Sequence, residues 1–262
     1  MHSTIREFTI EDRFAKIYAL WLREFKVFLR EKSRLVASTF TPILWLFVIG
    51  NGIGSANPST IGGVNYQQFI FPGIVSMSII FTSVFFGSYI IWDRKFDFLK
   101  SVMVAPVSRG EVFVGKALGG MTNSVIQAAI LLAIGAGIGI GFTPLSILQT
   151  IAVVLLLSFG LTSLGLALGS YMYSLEGFQM IVSFVVFPLF FLSGALFPLS
   201  HLPSWLGALT AADPATYGVS VMRSAILGIG SEAIGVNAAI LVAYTAGLGA
   251  FGIYSFGRMK AV

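Results

Sequence analysis

Six long apolar segments, separated by shorter polar stretches, run along this chain of 262 residues. An α-helix rises about 1.5 Å per residue, so about 20 apolar residues cross the ~30 Å hydrocarbon core of a membrane. The pattern therefore predicts an all-α integral membrane protein with six transmembrane helices, the first bent at Pro42. The predicted spans are Leu35–Ile53, Phe69–Ile91, Val112–Ile140, Pro144–Tyr171, Phe178–Phe197 and Ala233–Gly257.

The segment before the first span has the pattern of an amphipathic helix from Asp12 to Arg34. Its apolar residues recur at spacings of three and four, and most of its basic residues fall on the other side. A basic amphipathic helix with tryptophan on its apolar face suits the headgroup layer of a membrane. The alternative is an ordinary helix packed on a neighbour. The predicted interface side chains are Trp21, Phe25 and Phe28.

Two of the spans carry clear helix-start signals. Ser108 and Glu111 have the S-x-x-E spacing of a capping box directly before the third span. Thr143 offers a capping hydroxyl to the fourth span, and Pro144 suits the first helical position. The chain thus divides into residues 1–34, a six-span domain over 35–257, and a short tail over 258–262.

Residues 198–232 are too many for a plain connection between the fifth and sixth spans. This stretch is moderately apolar, and we expect short re-entrant helices that dip into the outer leaflet and return. Asp213 precedes Pro214 and is the predicted cap of the second of these helices. Arg223 is interpreted as a snorkelling or hydrogen-bonded structural residue rather than a ligand of substrate.

Composition supports the membrane assignment. The chain is 56% hydrophobic and only 10% charged, whereas soluble domains carry about 25% charged residues. It contains no cysteine, which excludes disulfide bonds and thiolate metal sites.

The distribution of basic residues predicts the orientation. Of sixteen, eight precede the first span, five lie in residues 92–116 and two lie in the C-terminal tail, which leaves Arg223. Lysine and arginine favour cytoplasmic loops. We therefore expect a multi-pass protein of the cell or inner membrane with both termini and the 92–116 loop in the cytoplasm. The net charge of +5 reflects topology and contact with anionic lipid, not nucleic acid.

The 92–116 loop carries eight charged residues between two apolar spans. A charge at mid-depth in hydrocarbon costs roughly 2.5–3.5 kcal/mol on insertion scales, so we expect this loop to project into water. Apolar side chains are interleaved with its charges, among them Phe96, Phe98, Leu99 and Met103. This mixture predicts a short amphipathic helix that docks onto a partner.

No enzymatic site emerges from the sequence. The two histidines, His2 and His201, fall on opposite sides of the predicted membrane, and no carboxylate pair or metal-ligand spacing is found. Gly110 to Lys116 matches most of a phosphate-binding loop, but Ala117 stands where the motif requires serine or threonine. We interpret it as a chance match and expect no nucleotide, cofactor or metal on this chain.

Several side chains within the predicted spans leave two interpretations open. The polar side chains either hydrogen-bond between helices or line a conduit, and Phe191 of the fifth span is a further candidate for packing or for the conduit. The polar residues are Asn123, Gln127, Ser158 and Thr162. Glycine pairs at 165/169, 135/139 and 137/141 have the small-xxx-small spacing that lets helices approach closely. Glu176 is either a carboxylate at the start of the fifth helix or a secondary contact with a cytoplasmic partner.

Three ordered motifs resemble a known family. Asp93 to Arg109, followed by Val114 to Leu118, is similar to the cytoplasmic loop of ABC-2-type permeases, in the branch of nodulation-factor and daunorubicin exporters. Pro188 to Leu206 resembles that family's fifth helix and outer segment, and Asp213 to Arg223 its N-P-x-x-Y…R stretch. The sequence departs from the family pattern at three positions, with Asp93 for Glu, Asp97 for Gly and Asp213 for Asn.

The resemblance implies the membrane subunit of an ATP-driven exporter. Two copies, expected as a homodimer, would pair with two ATPase subunits that bind ATP and magnesium. Residues 93–103 would form the coupling helix in a groove of the ATPase. Cargo of amphipathic, drug-like or lipid- or glycan-linked type would leave between the copies, along the first, second and fifth spans. The implied docking residues are Asp93, Arg94, Phe96, Asp97, Phe98, Leu99 and Met103, with Glu176.

The rival reading is a secondary carrier or channel without an ATPase. Carriers keep ionisable residues or broken helices near the membrane midplane, and the uncharged spans fit that pattern poorly. A structural scaffold or an enzyme subunit is a more distant alternative.

Overall fold

The computed structural model describes residues 10–56, 60–199, 202–230 and 234–259. Every regular secondary-structure element in these ranges is a helix, which confirms the all-α class. They are α1 Ile10–Arg30, α2 Lys32–Leu44, a π-helical turn Trp45–Ile49, α3 Gly50–Ala56, α4 Tyr66–Phe85, α5 Ser88–Lys95, α6 Phe98–Val104, α7 Arg109–Gly137, α8 Pro144–Tyr171, α9 Leu175–Leu192, α10 Ser204–Ala211, α11 Pro214–Leu227 and α12 Ile234–Gly257.

Six helical stretches in the described ranges are long and apolar enough to cross a membrane, as predicted. They run over Lys32–Ser55, Tyr66–Lys95, Arg109–Gly137, Pro144–Tyr171, Leu175–Leu192 and Ile234–Gly257. Consecutive spans alternate in direction, so α1, residues 92–109, the 172–174 turn and the end of α12 lie at one end of the molecule. We call this the charged end.

α4 forms the centre of the bundle. It contacts α7, α8, α9 and α11, and most of its side chains are buried, including Phe71, Ile74 and Ile80. The first, fifth and sixth spans are far less buried than α4 and form the periphery. A buried central helix is apolar around its whole circumference, as α4 is.

The predicted helix starts are confirmed. The Ser108 hydroxyl accepts from the Glu111 amide, and the Glu111 carboxylate accepts from the Ser108 amide. Thr143 caps α8 by accepting from the Ser146 amide. At α11, an Asp213 carboxylate oxygen accepts from the Ala215 amide at 2.8 Å.

The structure differs from the predicted helices in four places. The first helix ends at Arg30 rather than Arg34, because the Glu31 backbone leaves the helical region before α2 begins. The second span is interrupted at Phe86 and Gly87. The third span ends at Gly137, short of Ile140. The fifth span runs over 175–192 because the Ser174 hydroxyl caps it three residues early.

Gly165 and Gly169 confirm the predicted close packing. A Cβ at Gly165 would collide with the Val84 carbonyl, and one at Gly169 would meet the Gly87 carbonyl. α8 therefore contacts the interruption between α4 and α5 backbone to backbone. The prediction fails at Gly137, Gly139 and Gly141, where an added Cβ would meet no atom within 4 Å, because Gly137 is the last residue of α7 and the other two lie beyond its end. Gly139 instead adopts φ +86° in the following turn, a conformation that favours glycine.

The segment between the fifth and sixth spans forms two short helices, α10 and α11, as predicted. α11 packs against α4, α8 and α12, so it belongs to the helix bundle. Arg223 on α11 is buried. Its Nη2 donates to the Gly194 carbonyl at 2.8 Å, and the guanidinium lies 4.1 Å from the centroid of the Phe69 ring. The interpretation of Arg223 as a hydrogen-bonded structural residue is confirmed.

Candidate functional site

Four charged side chains meet inside the charged end, and we call them the charge cluster: Arg23, Glu24, Asp93 and Lys116. Arg23 Nη2 lies 2.6 Å from Asp93 Oδ1, and Arg23 Nη1 lies 2.6 Å from Glu24 Oε1. Lys116 Nζ lies 3.0 Å from Glu24 Oε1 and also pairs with Asp93 Oδ2. The cluster ties α1, α5 and α7 together.

The cluster is electrically balanced, with two cations and two anions. Asp93 is 5% exposed and Lys116 is 1% exposed, so these two charges have exchanged water for their partners, whereas the Arg23 side chain is still 33% exposed. Burial disfavours the Arg23 guanidinium charge, but Asp93 and Glu24 outweigh this effect and raise the pKa of Arg23. Buried ions are tolerated only when they are paired and hydrogen-bonded, and the cluster meets that condition.

The expectation that the whole 92–116 loop projects into water is wrong. α5 continues the second span to Lys95 and α7 begins at Arg109, so Asp93 and Lys116 lie within helices that pack on α1. Leu99 is also buried, in the apolar core of the charged end. Asp93 and Leu99 therefore hold the loop in place from inside, and their side chains are not free to contact a partner directly.

Lys116 has a defined role in this arrangement. The segment from Gly110 to Lys116 is part of α7, and the Lys116 amino group is occupied by Glu24 and Asp93. A phosphate-binding loop needs a free lysine amine and irregular glycine-rich backbone in front of a helix. The geometry thus agrees with the interpretation of this motif as a chance match.

Arg94 connects the loop to the turn between α8 and α9. Its guanidinium donates to the Met172 carbonyl at 2.6 Å and the Ser170 carbonyl at 3.0 Å. It also lies 4.8 Å from the centroid of the Tyr173 ring. These carbonyls belong to the end of α8, where a cation is favoured. Arg94 fixes the position of α5 relative to the fourth and fifth spans.

The remaining predicted docking residues are accessible to different degrees. Phe96 is 72% exposed and its ring stacks on Trp92 at 5.7 Å. Asp97 is exposed and turns the chain into α6 with φ 55°. Phe98 is half-buried beneath Arg23, whose guanidinium lies 3.6 Å from the ring centroid. The Met103 side chain lies outside the described set.

We define the docking surface as the exposed side chains around α6 and the neighbouring turn. Tyr173 and Glu176 from the turn and the start of α9 lie beside the loop that Arg94 holds. Glu176 is in the first turn of α9 and exposed, a position that suits both of its predicted roles. The docking surface consists of Phe96, Asp97, Lys100, Val104, Tyr173 and Glu176, all exposed.

The apolar side of α1 is divided between two environments. Phe28 is buried, and Trp21 Nε1 donates to the Thr122 hydroxyl on α7 at 2.9 Å. Phe25 stacks on Trp21. Phe14 and Tyr18, on the adjacent stripe, are exposed and available to a membrane surface. α1 therefore packs on α7, as one of the two alternatives predicts, and also has an exposed apolar stripe. Contact of that stripe with the headgroup layer stays a prediction.

The polar residues of the spans lie between helices. Asn123, Ser158 and Thr162 are buried, and Gln127 Oε1 accepts from the Thr82 hydroxyl. Ser158 bonds within its own helix, whereas Asn123 lines a cavity. Phe191 is exposed on α9.

Sequence reasoning missed Arg23 and Glu24 as members of the charge cluster. A signal was present, because Glu24 lies four residues from both Leu20 and Phe28, on the face of α1 that packs inward. A carboxylate on such a face requires a cation on another helix. Among the described residues no group of acidic, histidine or cysteine side chains could hold a metal ion.

Comparison with known proteins agrees with the geometry. The chain is 29% identical over 236 residues to the inner membrane transport permease YadH of Escherichia coli K12, covering 86% of this chain and 88% of YadH. It is 29% identical over 220 residues to the putative transport permease ycf38 of Cyanophora paradoxa, covering 82% and 74%. Nodulation protein J of Rhizobium leguminosarum bv. trifolii is 26% identical over 219 residues, covering 80% of each chain.

The family model described as ABC-2 type transporter matches residues 15–227, which include most of α1, five of the six spans, the docking surface and the charge cluster. The resemblance seen in the three sequence motifs is confirmed. The chain is a multi-pass membrane transport subunit, and it belongs to the ABC-2 type transporter family.

Proposed function

We propose that this chain is the membrane subunit of an ATP-binding cassette exporter, in which a separate ATPase hydrolyses ATP and drives export of an amphipathic molecule. The observation that carries the proposal is the docking surface, an exposed apolar and charged patch on short helical turns that are anchored firmly beneath. An exposed aromatic such as Phe96, rimmed by the charges of Asp97 and Lys100, is typical of a partner interface.

The anchoring contacts provide a route for movement. A displacement of α6 acts on α5 directly, and Asp93 connects α5 to α1 and α7 through the charge cluster. Arg94 connects the same helix to the α8–α9 turn. Closure of an ATPase dimer against the docking surface would therefore shift several spans together as packed elements, rather than bend one loop.

The complete assembly would hold two copies of this chain and two ATPase subunits with their ATP and magnesium. The charged end would face the cytoplasm, in accordance with the positive-inside distribution of lysine and arginine. The cargo would pass between the two copies, and its amphipathic character follows from the apolar surface of the spans. The exposed stripe of α1 would rest in the headgroup layer.

The test is to coexpress the tagged chain with a candidate P-loop ATPase subunit from the same organism and to purify the complex. Phe96→Asp buries a charge in the proposed interface, and it should abolish copurification and the ATP hydrolysis rate of the complex. Phe251→Ala, an exposed aromatic on α12, is the control and should retain both. Wild-type chain that never recruits an ATPase, or an unaffected Phe96→Asp complex, would overturn the proposal.

A further inference from the structure

A cavity of about 460 Å³ lies among α2, α4 and α7, next to the end of α1. This volume is within the range of small-molecule sites, roughly 300–1,000 Å³. The α2 side of the cavity is one helix face, since its residues recur at spacings of three and four. The lining residues are Phe28, Arg34, Ala37, Ser38, Thr41, Pro42, Met77, Ser78, Phe81, Thr82, Phe85 and Asn123.

Two buried polar atoms at the cavity have no hydrogen-bond partner among the described residues. They are Asn123 Oδ1 and Ser78 Oγ, and their side chains are 5% and 2% exposed. A buried polar group left without a partner costs about 1–3 kcal/mol. The rest of the wall is dominated by aromatic and aliphatic side chains. The cavity therefore offers unpaired hydrogen-bonding atoms within an otherwise apolar wall.

Arg34 places a cation at one end of the cavity. Its side chain is 41% exposed, and its ion pair with Glu31 is a long contact of 3.6 Å. Its guanidinium lies 4.5 Å from the centroid of the Tyr89 ring. This pairing sets Arg34 at the level of Tyr89 along the second span, close to the charged end.

The depth of Asn123 follows from the neighbouring contacts. Ser124, the next residue, hydrogen-bonds to Ser83 at 2.9 Å, so Asn123 lies near the level of Ser83. Tyr89 is six residues beyond Ser83, across the interruption at Phe86 and Gly87. At a rise of roughly 1.5–2.0 Å per residue, this corresponds to about 9–12 Å along the span. The cation and the unpartnered acceptor are thus about 9–12 Å apart along the bundle.

We propose that this cavity is a binding site for an amphipathic anion. The acidic group of the ligand pairs with the Arg34 guanidinium, its apolar body contacts Phe81, Phe85 and Pro42, and a hydroxyl or amide about 9–12 Å from the acid donates to Asn123. The ligand reaches the site from the charged end, beside the α1–α2 junction. Each chemical feature of the ligand corresponds to one observed feature of the wall.

The identification of this ligand as cargo rests on the proposed function, whereas binding itself does not. A bound acid at Arg34 would lie next to Phe28 and the end of α1, close to the charge cluster. Binding can be measured on the permease alone, and the ATPase partnership is measured separately by copurification. The two proposals can therefore fail independently.

The probe is 10-hydroxydecanoate, which carries an acid and a hydroxyl at the ends of an apolar chain of suitable length. Its affinity is measured by titration calorimetry on the full chain in nanodiscs of zwitterionic phosphatidylcholine. Decanoate lacks the hydroxyl, and 1,10-decanediol lacks the acid. We expect wild-type protein to bind the hydroxy acid about fivefold more tightly than decanoate and at least tenfold more tightly than the diol, since neutral hydrogen bonds contribute about 1 kcal/mol and those to charged groups about 1.5–3.

Four variants assign the contacts. Arg34→Gln should weaken binding of the hydroxy acid by about tenfold or more. The Asn123→Leu variant should still bind decanoate but should no longer bind the hydroxy acid more tightly than decanoate. Ala37→Phe fills the cavity and should abolish binding. Val36→Phe places the same ring on the exposed side of α2 and should bind as wild type.

Two results would overturn the proposal: no saturable binding to wild-type protein, or equal binding by the Ala37→Phe and Val36→Phe variants. A second arm replaces one third of the phosphatidylcholine with phosphatidylglycerol. Competition by this lipid would support the site and identify an anionic headgroup as the source of the acid, and absence of competition would support a free amphiphile instead.

Discussion

Lys116 is the side chain on which the charged end depends most, because it faces two carboxylates and no water. Removal of one partner from a buried ion pair costs about 3–5 kcal/mol, since the other charge is left uncompensated. We expect Lys116→Met to lower the thermal unfolding midpoint of the purified protein strongly, measured by tryptophan fluorescence in detergent.

The matched control is Lys100→Met. Lys100 pairs with Asp97 at 2.8 Å, but both side chains are more than half exposed, and exposed pairs contribute about 0–1 kcal/mol. The thermal unfolding midpoint of Lys100→Met should stay close to that of wild type. A second variant that combines Lys116→Met with Glu24→Gln removes one of the uncompensated charges and should recover part of the loss. Equal midpoints for Lys116→Met and Lys100→Met would contradict the role of the cluster.

Asp213 predicts a pH dependence. Burial raises the pKa of Asp213 from its ordinary value of 3.8 to about 7, against the lowering effect of the hydrogen bond from the Ala215 amide. The folded protein therefore retains the proton to higher pH than the unfolded chain. Stability from this group is fully present below about pH 4 and is lost as the pH rises through 7.

Asp213→Asn keeps the capping oxygen and cannot ionise, so the variant should escape this loss. We expect its unfolding midpoint to exceed that of wild type at pH 8 and to match it at about pH 3.5, with a stability difference on the order of 4 kcal/mol at most. Thermal unfolding at the two pH values measures it. A constant difference at both would show that ionisation of Asp213 is not the cause.

The contact of α8 with the α4–α5 interruption should depend on Gly165. Alanine there places a Cβ against the Val84 carbonyl, and backbone cannot move aside as a flexible side chain can. Overpacking of this kind costs typically 1–3 kcal/mol, so we expect Gly165→Ala to lower the unfolding midpoint. Gly137→Ala is the control, because no atom lies within 4 Å of its Cβ position and alanine favours helix by up to about 1 kcal/mol. A Gly165→Ala midpoint as high as that of Gly137→Ala would contradict the close approach.

The spans and their starts could be predicted because their causes are local. Hydrophobic length determines a span, and a capping box such as Ser108 with Glu111 involves residues only three apart. The ends were less certain: Ser174 starts α9 early through one hydroxyl contact, and the break at Glu31 lies within a continuous run of charged residues. These boundaries depend on single backbone contacts that hydropathy does not register.

The charge cluster could not be predicted for the opposite reason. Lys116 and Glu24 are 92 residues apart in sequence, and nothing local indicates that their helices cross at this height. The sequence therefore predicts that the whole charged loop projects into water, whereas Asp93 and Lys116 form an ion pair inside the protein. The docking residues divide accordingly: Phe96 and Asp97 lie on the surface, whereas Asp93 and Leu99 support it from beneath.

The whole bundle has one side rich in exposed aromatic residues. The first and fifth spans meet there, with the rings of Trp45 and Phe190 in edge contact at 5.5 Å. Exposed phenylalanines of both spans continue outward from this contact, namely Phe40, Phe47, Phe184, Phe187 and Phe191. Aromatic residues are enriched at interfaces between subunits, so this side is the expected contact with a second copy.

The cysteine-free sequence allows a direct test of that contact. In a chain with one introduced cysteine, any disulfide must join two copies, and its geometry requires Cα atoms within about 7 Å. We introduce single cysteines at Phe40, Phe184 and Phe191 and oxidise the membranes before gel electrophoresis. A short bis-maleimide reaches pairs that are slightly too distant for a disulfide. At least one position should give a dimer band with either reagent. Val242→Cys, exposed on the peripheral α12, should give none. In the described part of the chain α12 packs on α7, α8 and α11, so a dimer that forms through Val242 but through none of the aromatic positions would place the subunit contact on the sixth span instead.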